Sequence, residues 1–228
     1  MKNYLRYGFI AVALGLMLAS SATTTRAQIV NEVLKRMETH YKSLTSLRTN
    51  VTRAEYESSL KDTTTRNGKA IYLPMKGKNA YFRIDWEKPN ESLAVIDKQY
   101  VLYQPNLKVA HTGSTDKAQK STNVSGSLGF INMSKAQLKA NYEIKYIGEE
   151  TVTGGTSTWH LELTPKTAQK FKLADIWVDK DGMPVQIKLT AANNDTDTIL
   201  LTGIQKNVTI NGSEFKITPE AGTKIIKD

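Results

Sequence analysis

From Tyr81 the chain reads Tyr81-Phe82-Arg83-Ile84-Asp85-Trp86, six residues that set the architecture. Successive side chains of a strand point to opposite faces, so Phe82, Ile84 and Trp86 share one face and Tyr81, Arg83 and Asp85 the other. The same period of two extends in both directions. Upstream, Gly68-Lys69 opens a run through Ala70, Ile71, Tyr72 and Leu73; downstream come short runs at 92–96, 99–104 and 107–111, with turn-length gaps between them. Further runs cover Tyr142–Gly148, Thr158–Thr164, Lys172–Asp179, Val185–Ala191, Thr198–Gln205 and Glu214–Thr218. In the second of these, Trp159, Leu161 and Leu163 alternate with His160 and Glu162. Asp181-Gly182 and Gly154-Gly155 carry hairpin-turn chemistry. No helical pattern separates consecutive strands, which excludes a parallel βαβ sheet and leaves an antiparallel meander of about ten or eleven strands.

Two segments break the period. Ile29, Val30, Val33, Leu34, Met37, Tyr41 and Leu44 recur at steps of three and four, the stripe of an amphipathic helix over 29–44. Glu32 in its first turn and His40 and Lys42 in its last suit the helix dipole. Residues 113–124 form a polar loop, Leu128–Met133 a short apolar segment, and Ser134 N-caps a short helix running to Ala140. Eleven strands spaced ~4.8 Å apart make a flat sheet roughly 50 Å wide, whereas a helix is only ~10 Å across. Two helices cannot cover such a face, so the sheet is expected to curl, with the helices across its mouth. The expected fold is mainly β (α+β), a curved antiparallel half-barrel of about 11 strands, lidded by an N-terminal helix and a short helical insertion. Its inner face would carry Phe82, Ile84, Trp86, Trp159, Leu161 and Leu163. Periodicity alone does not separate a hollow from a closed core.

The sequence has 228 residues, 31 Lys+Arg against 22 Asp+Glu, three His and no Cys. The missing thiols exclude disulfides, a thiolate metal site and a cysteine nucleophile. Lys2 and Arg6 precede an apolar run from Phe9 to Ala19, followed by small residues with cleavage candidates at Ser20-Ser21-Ala22 and Thr25-Arg26-Ala27, which reads as an export signal over residues 1–27. The run falls short of the ~20 residues of a spanning helix. Removing those residues takes the net charge from +9 to +6 (28 − 22), because Lys2, Arg6 and Arg26 leave with them. The remaining charge is scattered, which argues against a nucleic-acid partner. One domain is expected over residues 28–228.

Catalytic and metal chemistry find little footing. His40, His111 and His160 are never paired at ligand spacing. Asp179-Lys180-Asp181-Gly182 lacks the remainder of a calcium loop, and Gly-x-Ser-x-Gly and phosphate-binding glycine loops are absent. The sequence reading is therefore of a non-enzyme with no cofactor, no metal and no catalytic residues.

The mature chain resembles the periplasmic outer-membrane lipoprotein carriers, the LolA-like lipoprotein-sorting proteins. The resemblance starts at Tyr41-Lys42-Ser43-Leu44-Thr45-Ser46-Leu47 and is strongest over Asn79-Ala80-Tyr81-Phe82-Arg83-Ile84-Asp85-Trp86-Glu87-Lys88-Pro89-Asn90-Glu91-Ser92. It continues through Leu102-Tyr103-Gln104-Pro105, Leu161-Glu162-Leu163-Thr164-Pro165, Ile176-Trp177-Val178-Asp179-Lys180-Asp181-Gly182 and Phe215-Lys216-Ile217-Thr218-Pro219. The order and spacing of these segments carry the likeness more than any one of them.

That resemblance implies a periplasmic carrier of lipoprotein acyl chains, loaded by an inner-membrane lipoprotein-releasing transporter and emptied to an outer-membrane acceptor. A monomer is implied, with acylated lipoproteins as cargo. A second expectation on the same fold is a lipid- or lipoprotein-sensing regulatory domain. Phe82 and Ile84 match cavity positions of the family. With Trp86, Trp159, Leu161 and Leu163, the expected acyl-binding set is completed by Val101, Tyr103, Phe130 and Met133. Where the family has an Arg-Pro pair latching barrel to lid, this chain has Lys78-Asn79, so Lys78 is the expected latch; lysine lacks the fork that satisfies several carbonyls at once. An acyl chain of about 15 methylenes gains roughly 12 kcal/mol on leaving water, the scale such a cavity must offset.

Overall fold

In the computed structural model, residues 26–75, 79–115 and 133–228 are described. The chain forms β1 (Leu47–Glu57), and the alternating runs then become β2 (Asp62–Leu73), β3 (Tyr81–Trp86), β4 (Glu91–Ile96), β5 (Gln99–Gln104) and β6 (Val109–Ser114). After a gap in the described chain follow β7 (Tyr142–Val152), β8 (Thr156–Pro165), β9 (Leu173–Asp179), β10 (Pro184–Thr190), β11 (Thr196–Lys206) and β12 (Lys224–Lys227). All twelve lie in one curved sheet, ordered β12-β6-β5-β4-β3-β2-β1-β11-β10-β9-β8-β7. β1 sits near the middle and joins two meanders, β2–β6 on one side and β7–β11 on the other.

Turn chemistry sets the registers. Asp97 and Lys98 take positive φ values of 47° and 67°, the tight hairpin conformation that pairs Ile96 with Gln99. At the β9–β10 turn the Asp179 carboxylate accepts from the backbone N–H groups of Asp181 and Met183 at 2.9 and 2.8 Å. Gly182 there adopts φ 87°, a conformation open to glycine at no steric cost.

Two features depart from the expected meander. The sheet gains a twelfth strand, and β12 pairs with β6 in parallel, from Lys224 opposite Val109 to Lys227 opposite Thr112. The strand expected at Glu214–Thr218 is instead a 3-10 turn over Gly212–Phe215, closed by reciprocal capping between Asn211 and Glu214. Phe215 is fully buried against the sheet with Tyr81 edge-on at 5.7 Å. Its apolar side chain made that segment look like a strand, yet it serves as a plug.

Among the described residues, two helices lie on one face of the sheet. The first, α1, covers residues 26–43; the second, α2, covers Lys135–Asn141, with Ser134 and Gln137 in a reciprocal capping box. α1 buries Val33, Leu34 and Met37. His40, three residues beyond Met37, takes the next inward position, while Tyr41 is turned outward and 38 % exposed. At 1.5 Å per residue α1 is ~27 Å long and ~10 Å wide, against a sheet of roughly 55 Å, so it covers only part of the face. Among the described residues no helix is long and apolar enough to cross a membrane.

Candidate functional site

Cross-strand register sorts the side chains into two faces. On the helix-bearing, inner face stand Leu47 opposite Tyr72, Ala70 opposite Ile84, Tyr72 opposite Phe82, Ile84 opposite Leu93, and Leu93 opposite Leu102. The same face continues through Val51–Leu201, Ile199–Ile187, Ile187–Ile176, Ile176–Leu161 and Leu161–Tyr146.

The inner face is packed in two regimes. Under α1, Leu161 and Leu163 are each 1 % exposed and join Ile176, Ile187 and Ile199 in a close-packed core. α1 is held there at three points. Arg36 lies 4.9 Å over the Trp159 ring and donates to the Lys180 carbonyl at 3.0 Å. Lys139 of α2 reaches Asn31 at 2.6 Å. The β9–β10 turn touches the helix backbone so closely that a Cβ on Gly182 would stand 2.3 Å from the Arg36 carbonyl. On the other meander the same face is apolar but only half-buried, at Tyr72, Phe82, Leu93, Val95 and Leu102. Ile84 and Trp86 form the buried base of that half, at 1 and 3 % exposure. Met133, Ile144, Tyr146 and Trp159 are likewise half-buried and packed against the core, beside the helices.

Polar groups bound this apolar surface. At one end, Arg53 forks onto Asp197 at 2.9 and 3.0 Å and reaches Glu55 at 2.9 Å, and Arg66 contacts Glu91 at 3.1 Å. At the other end of β5 the Tyr100 hydroxyl donates to Asp228; burial and that carboxylate push the phenol up to about 12. His40 sits where α1 meets the end of β11, its Nε2 buried and without a partner among the described residues. Desolvation, reinforced by Lys206, lowers its pKa, so the ring is held neutral.

The outer face is covered differently. The C-terminal segment crosses β3–β5, where Arg83 donates to the carbonyls of Glu214 and Lys216 at 2.9 and 3.0 Å, Arg48 pairs with Glu214 at 2.7 Å, and the Glu220 N–H reaches the Tyr103 hydroxyl at 3.4 Å. Farther along, His160 bridges Glu150 and Asp175, both at 2.8 Å, and stacks on Trp177 at 4.3 Å. Among the described residues no cluster of His, Asp and Glu is arranged to hold a metal ion.

The residues expected to bind acyl chains therefore separate. Phe82, Ile84, Trp86, Trp159, Leu161, Leu163 and Met133 are brought to the inner face or its flank, with Ile84, Trp86, Leu161 and Leu163 in the packed layer. Val101 and Tyr103 pair with Ala94 and Ser92 and face outward, away from that set. Phe130 and Lys78, with most of the polar loop and apolar segment before α2, lie outside the described residues. Sequence reasoning passed over Tyr72, Leu93, Val95 and Leu102. The Asp97-Lys98 turn held the signal: pairing Ile96 with Gln99 puts Tyr100 and Leu102, not Val101 and Tyr103, on the face of Leu93.

Comparison with known proteins now bears on this half-covered apolar sheet. The family model of the outer membrane lipoprotein carrier protein LolA matches residues 58–218, 161 of the 228 residues. The chain belongs to the LolA family. A comparison with curated protein sequences gave no match. Among solved structures, an uncharacterized conserved protein from Thermus thermophilus superposes with a TM-score of 0.56 at 12% identity, covering 87% of this chain and 99% of that one. A putative outer membrane lipoprotein-sorting protein domain from Vibrio parahaemolyticus gives 0.43 at 12% identity over 84% and 96% of the two chains. LprF from Mycobacterium bovis gives 0.48 at 13% identity over 82% and 98%. Of these three, the Thermus likeness alone has a TM-score above 0.5, and at 12% identity it speaks to the fold and to nothing else. LolA-family membership and the inner face together support lipoprotein or lipid binding.

Proposed function

We propose that this LolA-family protein is a periplasmic carrier, exported through the signal at residues 1–27 and folded as one domain over 28–228. It shields the acyl chains of lipoproteins against the inner face of β2–β5 and passes them from the inner to the outer membrane. The observation that supports this reading most is the change of packing along one continuous face. The same register that gives a closed core beneath α1 leaves Tyr72, Phe82, Leu93, Val95 and Leu102 half-buried. A row of branched aliphatics and rings left in that state is suited to a ligand that is itself hydrocarbon. Acylated lipoproteins are the proposed cargo, taken from an inner-membrane lipoprotein-releasing transporter and given to an outer-membrane acceptor, with the carrier acting as a monomer. No polar chemistry inside the groove is needed for retention, since about 12 kcal/mol of chain transfer free energy is available from 15 methylenes.

The test is binding of a fluorescent fatty-acyl probe to the purified protein, followed by competition. Saturable binding, displacement by an acylated lipoprotein but not by its unacylated form, and loss of binding in Phe82→Glu with an unchanged circular dichroism spectrum are expected. Equal competition by the unacylated form would replace the groove with a protein-docking surface, and undiminished probe binding in Phe82→Glu would remove Phe82 from the site.

A further inference from the structure

The apolar surface ends abruptly on three strands of its half, β2, β4 and β5. Moving inward by steps of two, Arg66 gives way to Gly68, Ala70 and Tyr72 on β2, Glu91 to Leu93 and Val95 on β4, and Gln104 to Leu102 and Tyr100 on β5. On β3 Trp86 stands opposite both Gly68 and Glu91, and Arg66, with Arg53 opposite it on β1, lies one inward-facing position farther out. The polar groups form one connected belt. Gln104 donates to Glu91 at 2.8 Å, Glu91 accepts from Arg66, Arg66 lies 4.8 Å over the Trp86 ring, and Arg53 stands directly opposite Arg66. From Glu91 to Val95 is four residues, so the apolar wall above the belt is about 13 Å deep along the strands.

One donor in this belt is left over. Arg66 is largely buried, its side chain 14 % exposed, and it spends one terminal nitrogen on Glu91. Its Nε is buried and has no acceptor among the described residues. Leaving such a donor unmade is costly, and a ligand that supplies an acceptor at this level recovers the loss. The sign of the belt restricts what that acceptor can be. Arg53 and Arg66 face three carboxylates, Glu55, Glu91 and Asp197, so the belt carries one net negative charge. An anionic headgroup would be repelled, whereas a neutral carbonyl oxygen is attracted to the free N–H.

We infer that Arg66 is a specificity residue that receives the neutral carbonyl of an acyl ester or amide, and that the belt selects esterified chains over free fatty acids. The hydrocarbon then lies on the apolar wall between the belt and Phe82. This rests on the lipid-binding reading above and adds to it which headgroup chemistry the groove accepts. Gly68 fits this arrangement: a Cβ there would meet the Asp85 carbonyl at 2.5 Å and the Trp86 ring at 3.0 Å, so a side chain would crowd both the β3 backbone and the ring on which Arg66 lies.

The experiment compares a pyrene-labelled long-chain methyl ester, its free acid and a headless pyrene alkane at pH 8. The full-length mature protein, Arg66→Met and Glu91→Gln are titrated with each. The wild type is expected to bind the ester about tenfold more tightly than the acid. Arg66→Met should weaken the ester about tenfold relative to the headless alkane, which still binds. Glu91→Gln should narrow the ester-to-acid ratio, by raising the affinity for the acid; this variant carries the test if Arg66→Met does not fold. A diacylglycerol and a diacylated cysteine peptide, titrated in parallel, distinguish a membrane lipid from a lipoprotein as the source of the ester. Equal wild-type affinity for ester and acid, or an ester-to-alkane ratio unchanged in Arg66→Met, overturns the role of Arg66. Failure of all three probes to bind the wild type overturns the lipid-binding reading itself.

Discussion

Replacing Gly182 with alanine tests how firmly α1 is seated on the sheet. The new Cβ would lie 2.3 Å from the Arg36 carbonyl carbon and oxygen and 2.7 Å from the Met37 nitrogen, all backbone atoms of a packed helix. None of these can rotate aside, so either the turn or the helix must move by most of an ångström. The left-handed backbone at φ 87° costs an alanine about 1 kcal/mol, and overpacking of this kind adds ~1–3 kcal/mol. Gly155 provides the matched control: its φ is 83°, yet a Cβ there meets nothing within 4 Å, so Gly155→Ala carries the backbone cost alone. Urea titration of both variants should place Gly182→Ala about 2–4 kcal/mol below the wild type and Gly155→Ala about 1 kcal/mol below it. In a chain of this size each kcal/mol is worth roughly 2–4 °C in Tm, so the two should also separate in a thermal scan. Equal losses in the two variants would refute the argument that the β9–β10 turn and α1 are in rigid contact.

Three further outcomes follow from the same geometry. Leu163→Ala, in the layer under the helices, should cost about 2–5 kcal/mol, whereas Leu93→Ala on the half-buried wall should cost less than half as much, both measured by denaturant titration. His40 has its pKa lowered by burial, so the unfolded chain takes up a proton that the folded one resists; stability is full above the unfolded value near 6.5 and should fall as pH drops below it, and His40→Gln should flatten that slope in urea midpoints taken between pH 7 and 5. Arg83→Ala removes the donor shared by Glu214 and Lys216, and hydrogen exchange should quicken over residues 211–223 while β7–β9 keep their protection.

The parts of the fold legible in the sequence were those where one face of a strand is buried and the other is not. Tyr81–Trp86 and Thr158–Thr164 alternate cleanly, and their apolar residues do turn inward. Gln99–Gln104 defeated the same reasoning, because both faces carry apolar side chains, one toward the groove and the other under the C-terminal segment. Tyr100 and Leu102 therefore look no different from Val101 and Tyr103. β1 was hidden for another reason: its inward row is Leu47, Thr49, Val51 and Arg53, and the buried guanidinium is tolerated only because Asp197, distant in sequence, meets it. β12 has four residues and a partner more than a hundred positions away, which leaves no local mark. The polar belt was illegible in the same sense, since it exists only once the strands are in register.

The order of strands in the sheet has a consequence for how the chain comes to be assembled. β2–β6 and β7–β11 are each built from neighbours in sequence, but β1 is zipped to β11 through pairs such as Val51 with Leu201, a separation of 150 residues. Closing so large a loop is entropically late work, so each meander can condense on its own while the junction between them waits. Until it forms, β1 and β11 are naked edges, the chain is at its most adhesive, and the two regimes of the inner face, core and groove, have not yet been joined into one surface.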